Sequence, residues 1–169
     1  MAKVTVLGGC GAVGSVAVRT LVTHPEFAEV VIADYNREKA EKMAADPGKG
    51  TTAAFFDAYD ADSIRKVIQG SDVVLNCVGP FYSTVKPILE VVLEEKINYV
   101  DVCDDVDVTL DILEWDSIAK EKGVKALIGM GSSPGVTNIL ARLAADSLLD
   151  EVEAIDIFHQ NDIMLRGNY

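Results

Sequence analysis

A glycine-rich hexapeptide near the N-terminus carries the clearest indication of chemistry in this sequence. It reads Gly-Cys-Gly-Ala-Val-Gly, a G-x-G-x-x-G pattern that follows a short apolar run and opens a helical one. In such a motif Gly9 permits a tight turn, Gly11 lets the backbone approach a pyrophosphate, and Gly14 allows close packing of helix on strand. The phosphates would bind free N–H groups at the start of the helix, beside Ala12 and Val13. The pattern therefore predicts a dinucleotide site.

An acidic residue follows the motif at the distance that this kind of site requires. Asp34 ends the second apolar run and lies 20 residues after Gly14. A carboxylate there accepts hydrogen bonds from the adenosine ribose and repels a 2′-phosphate, so the sequence favours NAD, with NADP as the alternative. Arg37 would offset part of that repulsion, although a solvated position on the next helix suits it better. We count Tyr35, next to Asp34, among the same contacts.

Two further strand ends supply candidate cofactor contacts. Asp57 and Ala58 follow the third apolar run, where residues can border an adenine pocket, but Asp57 equally suits a turn or a helix cap. Cys77, Val78 and Gly79 follow the fourth run, at the edge where open α/β sheets bind ligands. Their backbone groups would line the nicotinamide ribose, unless this loop is an ordinary strand-to-helix connection.

An acidic stretch after the fifth apolar run holds the candidates for catalysis. Residues 101–107 contain four carboxylates and one thiol; Asp101 and Asp104 are expected to face a substrate amine, and Cys103 is the third candidate for catalysis. The spacing is not that of a calcium loop and no histidine is near, so helix capping is the simpler role and no metal is predicted. The catalytic acid and base therefore stay unassigned.

The elements that must position these residues alternate between short apolar runs and helical patterns. Strands are expected at residues 4–7, 29–33, 52–56, 72–77, 98–102, 125–129 and 152–158. Most are continuously apolar, which is typical of strands covered on both faces in parallel sheets. Between the first two, Val13, Val16, Ala17, Thr20 and Leu21 form one apolar stripe of a helix. Successive βα units predict an α/β fold, a doubly wound parallel sheet of the Rossmann type in three layers, with strand order 3-2-1-4-5-6.

Composition excludes several classes of function. The chain has 169 residues, a net charge of −12 and a pI of about 4.5. Nucleic acid and anionic membranes are therefore unfavourable partners, because both require a cationic face. Three cysteines at no framework spacing argue against a disulfide-stapled secreted fold, and no signal peptide is recognised. A cytoplasmic location is expected.

The three cysteines all fall at predicted strand ends. Cys10, Cys77 and Cys103 follow the first, fourth and fifth strands, which are neighbours in a 3-2-1-4-5-6 sheet. The thiols would then line one edge of the cofactor cleft, or they fill small spaces in the core, which is the commoner role of a free cysteine. Both interpretations remain open from the sequence.

The domain organisation predicted from the pattern is uneven. Residues 1–150 form the dinucleotide-binding domain. Residues 151–169 hold the seventh strand and the opening of a second domain that is not present in this sequence. We therefore expect a fragment, or a first domain separated from its second.

Four motifs in order resemble the saccharopine dehydrogenase family: residues 9–14, 76–82, 99–105 and 134–138. The resemblance covers residues 3–158. It implies NAD(P)-dependent hydride transfer at a carbon–nitrogen bond of an amino acid, by oxidative deamination or its reverse. It also implies a second α/β domain that supplies much of the substrate pocket, and a homodimer.

Two other functions fit the same cofactor motif. One is a non-catalytic module that senses NAD(H), and the other is the cofactor-binding subunit of a split enzyme. The loop at residues 134–138 and the expected seventh strand count against a sensor, which needs neither. The substrate is left open.

Overall fold

Six parallel strands form the centre of the molecule. A computed structural model describes residues 1–45 and 50–158. The strands are β1 (Ala2–Leu7), β2 (Phe27–Asp34), β3 (Thr51–Phe55), β4 (Val73–Asn76), β5 (Asn98–Asp101) and β6 (Ala126–Leu127). They pair in the order β3-β2-β1-β4-β5-β6, so the predicted doubly wound sheet is confirmed.

Seven helices in the described ranges connect or follow these strands. They are α1 (Ala12–Leu21), α2 (Arg37–Ala45), α3 (Ala61–Ile68), α4 (Phe81–Glu94), α5 (Val106–Leu113), α6 (Asp116–Lys122) and α7 (Val136–Ser147). None of the helices in the described ranges is both long and apolar enough to cross a membrane.

The sheet separates two apolar cores, which gives the three layers expected. On one face α1 and α2 cover β1, β2 and β3 around Val6, Val18 and Ile32. On the other face α3, α4, α5 and α6 cover a larger core that includes Ile64 and Ile88. All the strand ends that carry candidate site residues meet at the carboxyl edge of this sheet.

The rotation of α1 differs from the one predicted. Val13 and Val16 are each 54% exposed, whereas Gly14 and Val18 are the buried residues of this helix. The reason lies at Gly14, where an added Cβ would stand 2.2 Å from the carbonyl oxygen of Gly8. Because this backbone contact fixes which side of α1 meets the sheet, the buried side is displaced from the most apolar one.

The predicted seventh strand is absent from the described part of the chain. Residues 152–158 form no strand, and Val152, Ile155, Ile157 and Phe158 are exposed. The sheet ends at β6, which is only two residues long and exposed. Its edge is therefore too short for a seventh strand to form a ladder of hydrogen bonds with it. The Asp-Pro-Gly segment at residues 46–48, which is typical of a turn, and the tail from residue 159 onward lie outside the described residues.

Candidate functional site

A cleft of about 590 Å³ opens at the carboxyl edge of the sheet, between the glycine turn and the ends of β2, β3 and β4. Its size is that of an ordinary small-molecule site. Most of the predicted cofactor contacts line this cleft: Gly11, Asp34, Tyr35, Asp57, Ala58, Cys77, Val78 and Gly79. The structure therefore brings together, in one cavity, residues from four separate segments of the chain.

The glycine turn leaves space where side chains would otherwise stand. Gly8, which precedes the motif, has φ +71° and takes the left-handed conformation that the turn requires. A Cβ at Gly9 would lie 2.9 Å from Ile32 Cγ2, so Gly9 serves close packing rather than the unusual backbone angle. Gly11 lines the cleft and is the N-cap of α1, with no acidic residue in the first helical turn. This end of the cleft fits a pyrophosphate, because the first N–H groups of a helix have no partner within the helix and α1 begins directly after Gly11.

Asp34 lies at the end of β2 and is already bonded to the turn. Its Oδ2 accepts the backbone N–H of Cys10 at 2.9 Å, and its Oδ1 accepts that of Asn36 at 2.9 Å. Each carboxylate oxygen has a further lone pair, so both can still accept a ribose hydroxyl. The carboxylate thus holds the glycine turn and presents negative charge to the cleft.

Arg37 does not join Asp34 in the cleft. Its Nε donates to Glu41 Oε1 at 2.8 Å along the exposed face of α2. The side chain borders a different surface groove, beside β3. The solvated position considered for Arg37 is therefore the one found, and its contact with a cofactor stays a prediction.

The end of β3 combines both roles considered for Asp57. Its Oδ1 accepts the N–H of Tyr59 at 2.9 Å, as a turn former does, and the residue also lines the cleft. Tyr59 reaches across the opening, where its hydroxyl lies 2.9 Å from Ser83 Oγ at the start of α4. Tyr35 and Tyr59 both line the cleft, next to the ends of β2 and β3.

The loop after β4 is held by two side chains. Asn76 Oδ1 accepts the N–H of Val78 at 3.0 Å, and Thr84 Oγ1 donates to the Val78 carbonyl at 2.7 Å. The peptide groups that would face a nicotinamide ribose are therefore fixed before any ligand arrives.

The candidates for catalysis lie away from this cleft. Asp101 and Cys103 are fully buried, and Asp104 is exposed beyond the cleft lining. Asp101 uses Oδ1 to accept the N–H groups of Cys103 at 3.1 Å and Gly129 at 2.8 Å. We expected Asp101 to face a substrate amine. Its buried carboxylate instead accepts hydrogen bonds from the backbone of two loops, so its role in this structure is structural.

All three thiols are free, and burial raises their pKa values. Burial and the neighbouring Asp34 raise the pKa of Cys10 to about 11. Burial and Asp101 raise the pKa of Cys77 to about 11. Cys10 and Cys103 are core residues, whereas Cys77 lines the cleft, so the two interpretations of the cysteines apply to different residues. Within the described ranges no three His, Cys, Asp or Glu side chains are grouped to hold a metal ion.

Several cleft residues were not predicted from the sequence: Gly8, Phe56, Tyr59, Pro80 and Thr84. Gly8 was detectable as the first of two adjacent glycines at the strand end. Thr84 carries a weaker signal, a hydroxyl one helical turn after a proline. Tyr59 and Phe56 cannot be distinguished from ordinary packing residues on the basis of the sequence.

Comparison with known proteins places this chain among cofactor-binding domains. Residues 4–127 match the family described as the saccharopine dehydrogenase NADP-binding domain. A carboxyaminopropylagmatine dehydrogenase from Synechocystis is 30% identical over 95% of this chain and 42% of its own length. A carboxynorspermidine synthase from Vibrio alginolyticus is 27% identical over 90% of this chain and 42% of its own length. The chain thus spans less than half the length of these relatives.

Solved structures agree on the fold. The apo saccharopine dehydrogenase (L-Glu forming) of Saccharomyces cerevisiae superposes with a TM-score of 0.72 at 20% identity, over 86% of this chain and 31% of that one. A triphenylmethane reductase from Citrobacter, solved with NADP(H), gives a TM-score of 0.58 at 15% identity, over 75% and 48% of the two chains. With the family match covering most of its length, the chain belongs to the saccharopine dehydrogenase family through that family's NADP-binding domain.

Proposed function

We propose that this chain binds a nicotinamide dinucleotide for an oxidoreductase that acts at a carbon–nitrogen bond of an amino acid or a carboxylated amine. The single observation that carries the cofactor role is the cleft itself. It joins a glycine turn without obstructing side chains, the N-terminus of α1 and the Asp34 carboxylate in one cavity. The substrate class is supported by the family match and by the names of the two relatives.

Each part of the cleft has a place in this proposal. The first turn of α1 with Gly11 holds the pyrophosphate, Asp34 holds the adenosine ribose, and Tyr35 and Tyr59 flank the adenine. Val78 and Gly79 orient the nicotinamide side through their fixed backbone groups. A bound dinucleotide would supply or accept the hydride.

The proposed preference is for NAD, although the matching family is described by NADP. Asp34 puts negative charge where a 2′-phosphate would lie, and Arg37 is paired with Glu41 away from the cleft. Within the described residues lining the cleft there is no lysine or arginine to receive that phosphate.

Titration of the purified chain with NADH, followed by the change in nicotinamide fluorescence, tests the proposal. Saturable binding in the micromolar to millimolar range is expected, because the phosphate and ribose contacts all lie within this chain. NADPH serves as the matched ligand that differs only by the 2′-phosphate. The absence of saturable binding for both ligands at high protein concentration would overturn the proposal.

A further inference from the structure

Three polar side chains are buried together beneath the carboxyl ends of β4 and β5. Asn76, Tyr99 and Asp101 are each 0% exposed. Asn76 and Asp101 are register partners on adjacent strands, and Tyr99 precedes Asp101 by two residues, so all three project from the same face of the sheet. Burying polar groups costs free energy unless they are hydrogen-bonded. Apolar residues would fill this space without that cost in free energy, so we expect these polar side chains to have a function.

The bonds of this cluster lead to the loops around the cleft. Asn76 Oδ1 accepts the N–H of Val78 in the loop after β4, at 3.0 Å. Asp101 Oδ1 accepts the N–H of Cys103, after β5, and that of Gly129, after β6, at 3.1 and 2.8 Å. One group of buried side chains therefore holds three successive strand-to-helix loops.

Tyr99 connects the two halves of the cluster. Its hydroxyl accepts Asn76 Nδ2 at 3.0 Å, which leaves its own proton directed elsewhere. Burial and the adjacent Asp101 raise the pKa of Tyr99 well above its usual value, so the phenol keeps that proton. Oδ2 of Asp101 is the buried side-chain oxygen that lacks a hydrogen-bond partner in the described part of the chain. Tyr99 and Asp101 project from the same face of β5, so the proton of the buried Tyr99 hydroxyl and the unpaired Asp101 Oδ2 belong to one small polar cluster between strand β4 and the β5 and β6 loops.

We propose that Asn76, Tyr99 and Asp101 form a positioning network that sets the nicotinamide half of the cleft by tying these three loops together. The proposal rests on the dinucleotide-binding function proposed above. None of the three side chains lines the cleft, so their influence passes through the backbone of Val78 and its neighbours. The network does not include the glycine turn or Asp34, so the adenosine half is expected to be independent of it.

Amide hydrogen exchange on the unliganded chain tests the structural part of this proposal. Tyr99→Phe removes the hydroxyl and keeps the buried ring. It should accelerate exchange at Val78, Cys103 and Gly129 by about tenfold, which corresponds to the loss of about one hydrogen bond. The amide of Gly9, bonded to Ala33 on the other half of the sheet, should change less. Acceleration confined to one loop, or equal at Gly9, would overturn the proposal.

Thr5→Val is the matched control for this variant. Thr5 is also 0% exposed, and its hydroxyl lies 2.7 Å from Ser71 Oγ, in the turn before β4 and far from the cleft. Loss of this hydroxyl should lower the melting temperature without selective exchange at the three loops. The same selective pattern in the control would contradict a special role for Tyr99.

Two ligands separate the halves of the cleft in a second measurement. Tyr99→Phe should raise the Kd for NADH about five- to tenfold, again the equivalent of about one hydrogen bond. ADP carries only the adenosine and pyrophosphate. Its Kd should change by less than about twofold, because the loops that the substitution affects lie outside the part of the cleft that ADP occupies. Equal weakening of both ligands, or an unchanged Kd for NADH, would overturn the network. If the wild-type chain bound neither ligand, the proposed function would fail, while the exchange measurement would still decide on the network.

A pair of variants at Asp101 covers the case in which Tyr99→Phe does not fold. Asp101→Asn keeps a carbonyl oxygen able to accept from Cys103 and Gly129, whereas Asp101→Ala removes it. The Asn variant should retain most of the loop protection and NADH affinity, and the Ala variant should lose both. If Asp101→Asn kept the loops protected but lost NADH binding as fully as Asp101→Ala, the carboxylate would act by its charge, and the positioning role would be wrong.

Discussion

Asp34 is the residue on which we expect the choice between NAD and NADP to depend. Replacing it with alanine should weaken NADH binding by about 1–3 kcal/mol, the cost of leaving ribose hydroxyls without a charged acceptor. The gap to NADPH should narrow, because the charge that opposes a 2′-phosphate is gone. Fluorescence titration with both cofactors measures the two changes.

A control for Asp34→Ala is needed because the carboxylate also bonds the Cys10 and Asn36 amides. Asp34→Asn keeps one acceptor oxygen and removes the charge, so it should narrow the NADPH gap with a smaller loss for NADH. Arg37→Ala should change neither affinity appreciably, since Arg37 pairs with Glu41 on the surface. A wild-type preference for NADPH would contradict this assignment.

Cys77 is the thiol placed to report on the cleft. Its pKa of about 11 keeps it mostly protonated at neutral pH, and the thiolate is the reactive form. Alkylation by iodoacetamide should therefore be slow at pH 8 and keep accelerating as the pH rises toward 11. Saturating NADH should slow the labelling of Cys77, measured by mass spectrometry, and affect buried Cys103 little. Equal rates for Cys77 with and without cofactor would leave it as a core filler.

At the junction of β1 with α1, two glycines have different roles. Gly14→Ala puts a Cβ 2.2 Å from the Gly8 oxygen, a backbone atom that cannot yield cheaply. It should lower the free energy of unfolding by about 1–3 kcal/mol, the usual cost of overpacking. At Gly11 the nearest atom to an added Cβ is 3.3 Å away, so Gly11→Ala should leave stability closer to wild type.

Binding should order these two variants differently from stability. A methyl group on Gly11 projects where the backbone must approach the pyrophosphate, so NADH affinity should fall by about tenfold or more. Urea unfolding and NADH titration of both variants give the two measurements. If Gly11→Ala bound NADH like the wild type, the phosphate contact would lie elsewhere in the cleft.

The sequence predicted the six observed strands and their order, because a strand that is covered on both faces appears as a continuous apolar run, but the seventh strand it predicted at residues 152–158 is absent. It failed where a single backbone contact outweighs the apolar pattern, as at Gly14, which turns α1 so that Val16 faces outward. It also placed Asp101 near a substrate because the strand end was right. Which face of the sheet the carboxylate took depended on the pairing with Asn76, which a sequence does not display.

Taken as a whole, the described chain has more residues suited to binding a cofactor than residues suited to transforming a substrate. The cleft is lined by the glycine turn and by the ends of β2, β3 and β4. The apolar side of α7, with Ile139, Leu140 and Leu143, is more than half exposed in the described part of the chain. The chain spans 42% of the length of its curated relatives. The homodimer implied by the family resemblance stays a prediction.

The corresponding prediction is that these 169 residues bind NADH and yet show little or no dehydrogenase turnover with saccharopine or lysine. Asp101 and Cys103 are enclosed in the core and Asp104 lies outside the cleft, so none of the three candidates for catalysis lines the described cleft. When no groups position the substrate, the activation barrier is several kcal/mol higher, and the rate of turnover falls by orders of magnitude. Absorbance at 340 nm with saturating NAD and each substrate measures the rate, with the NADH titration of the same preparation as the control for a folded site. Turnover at about 1 per second or faster, within the ordinary range of enzymes, would show that this chain holds a complete active site.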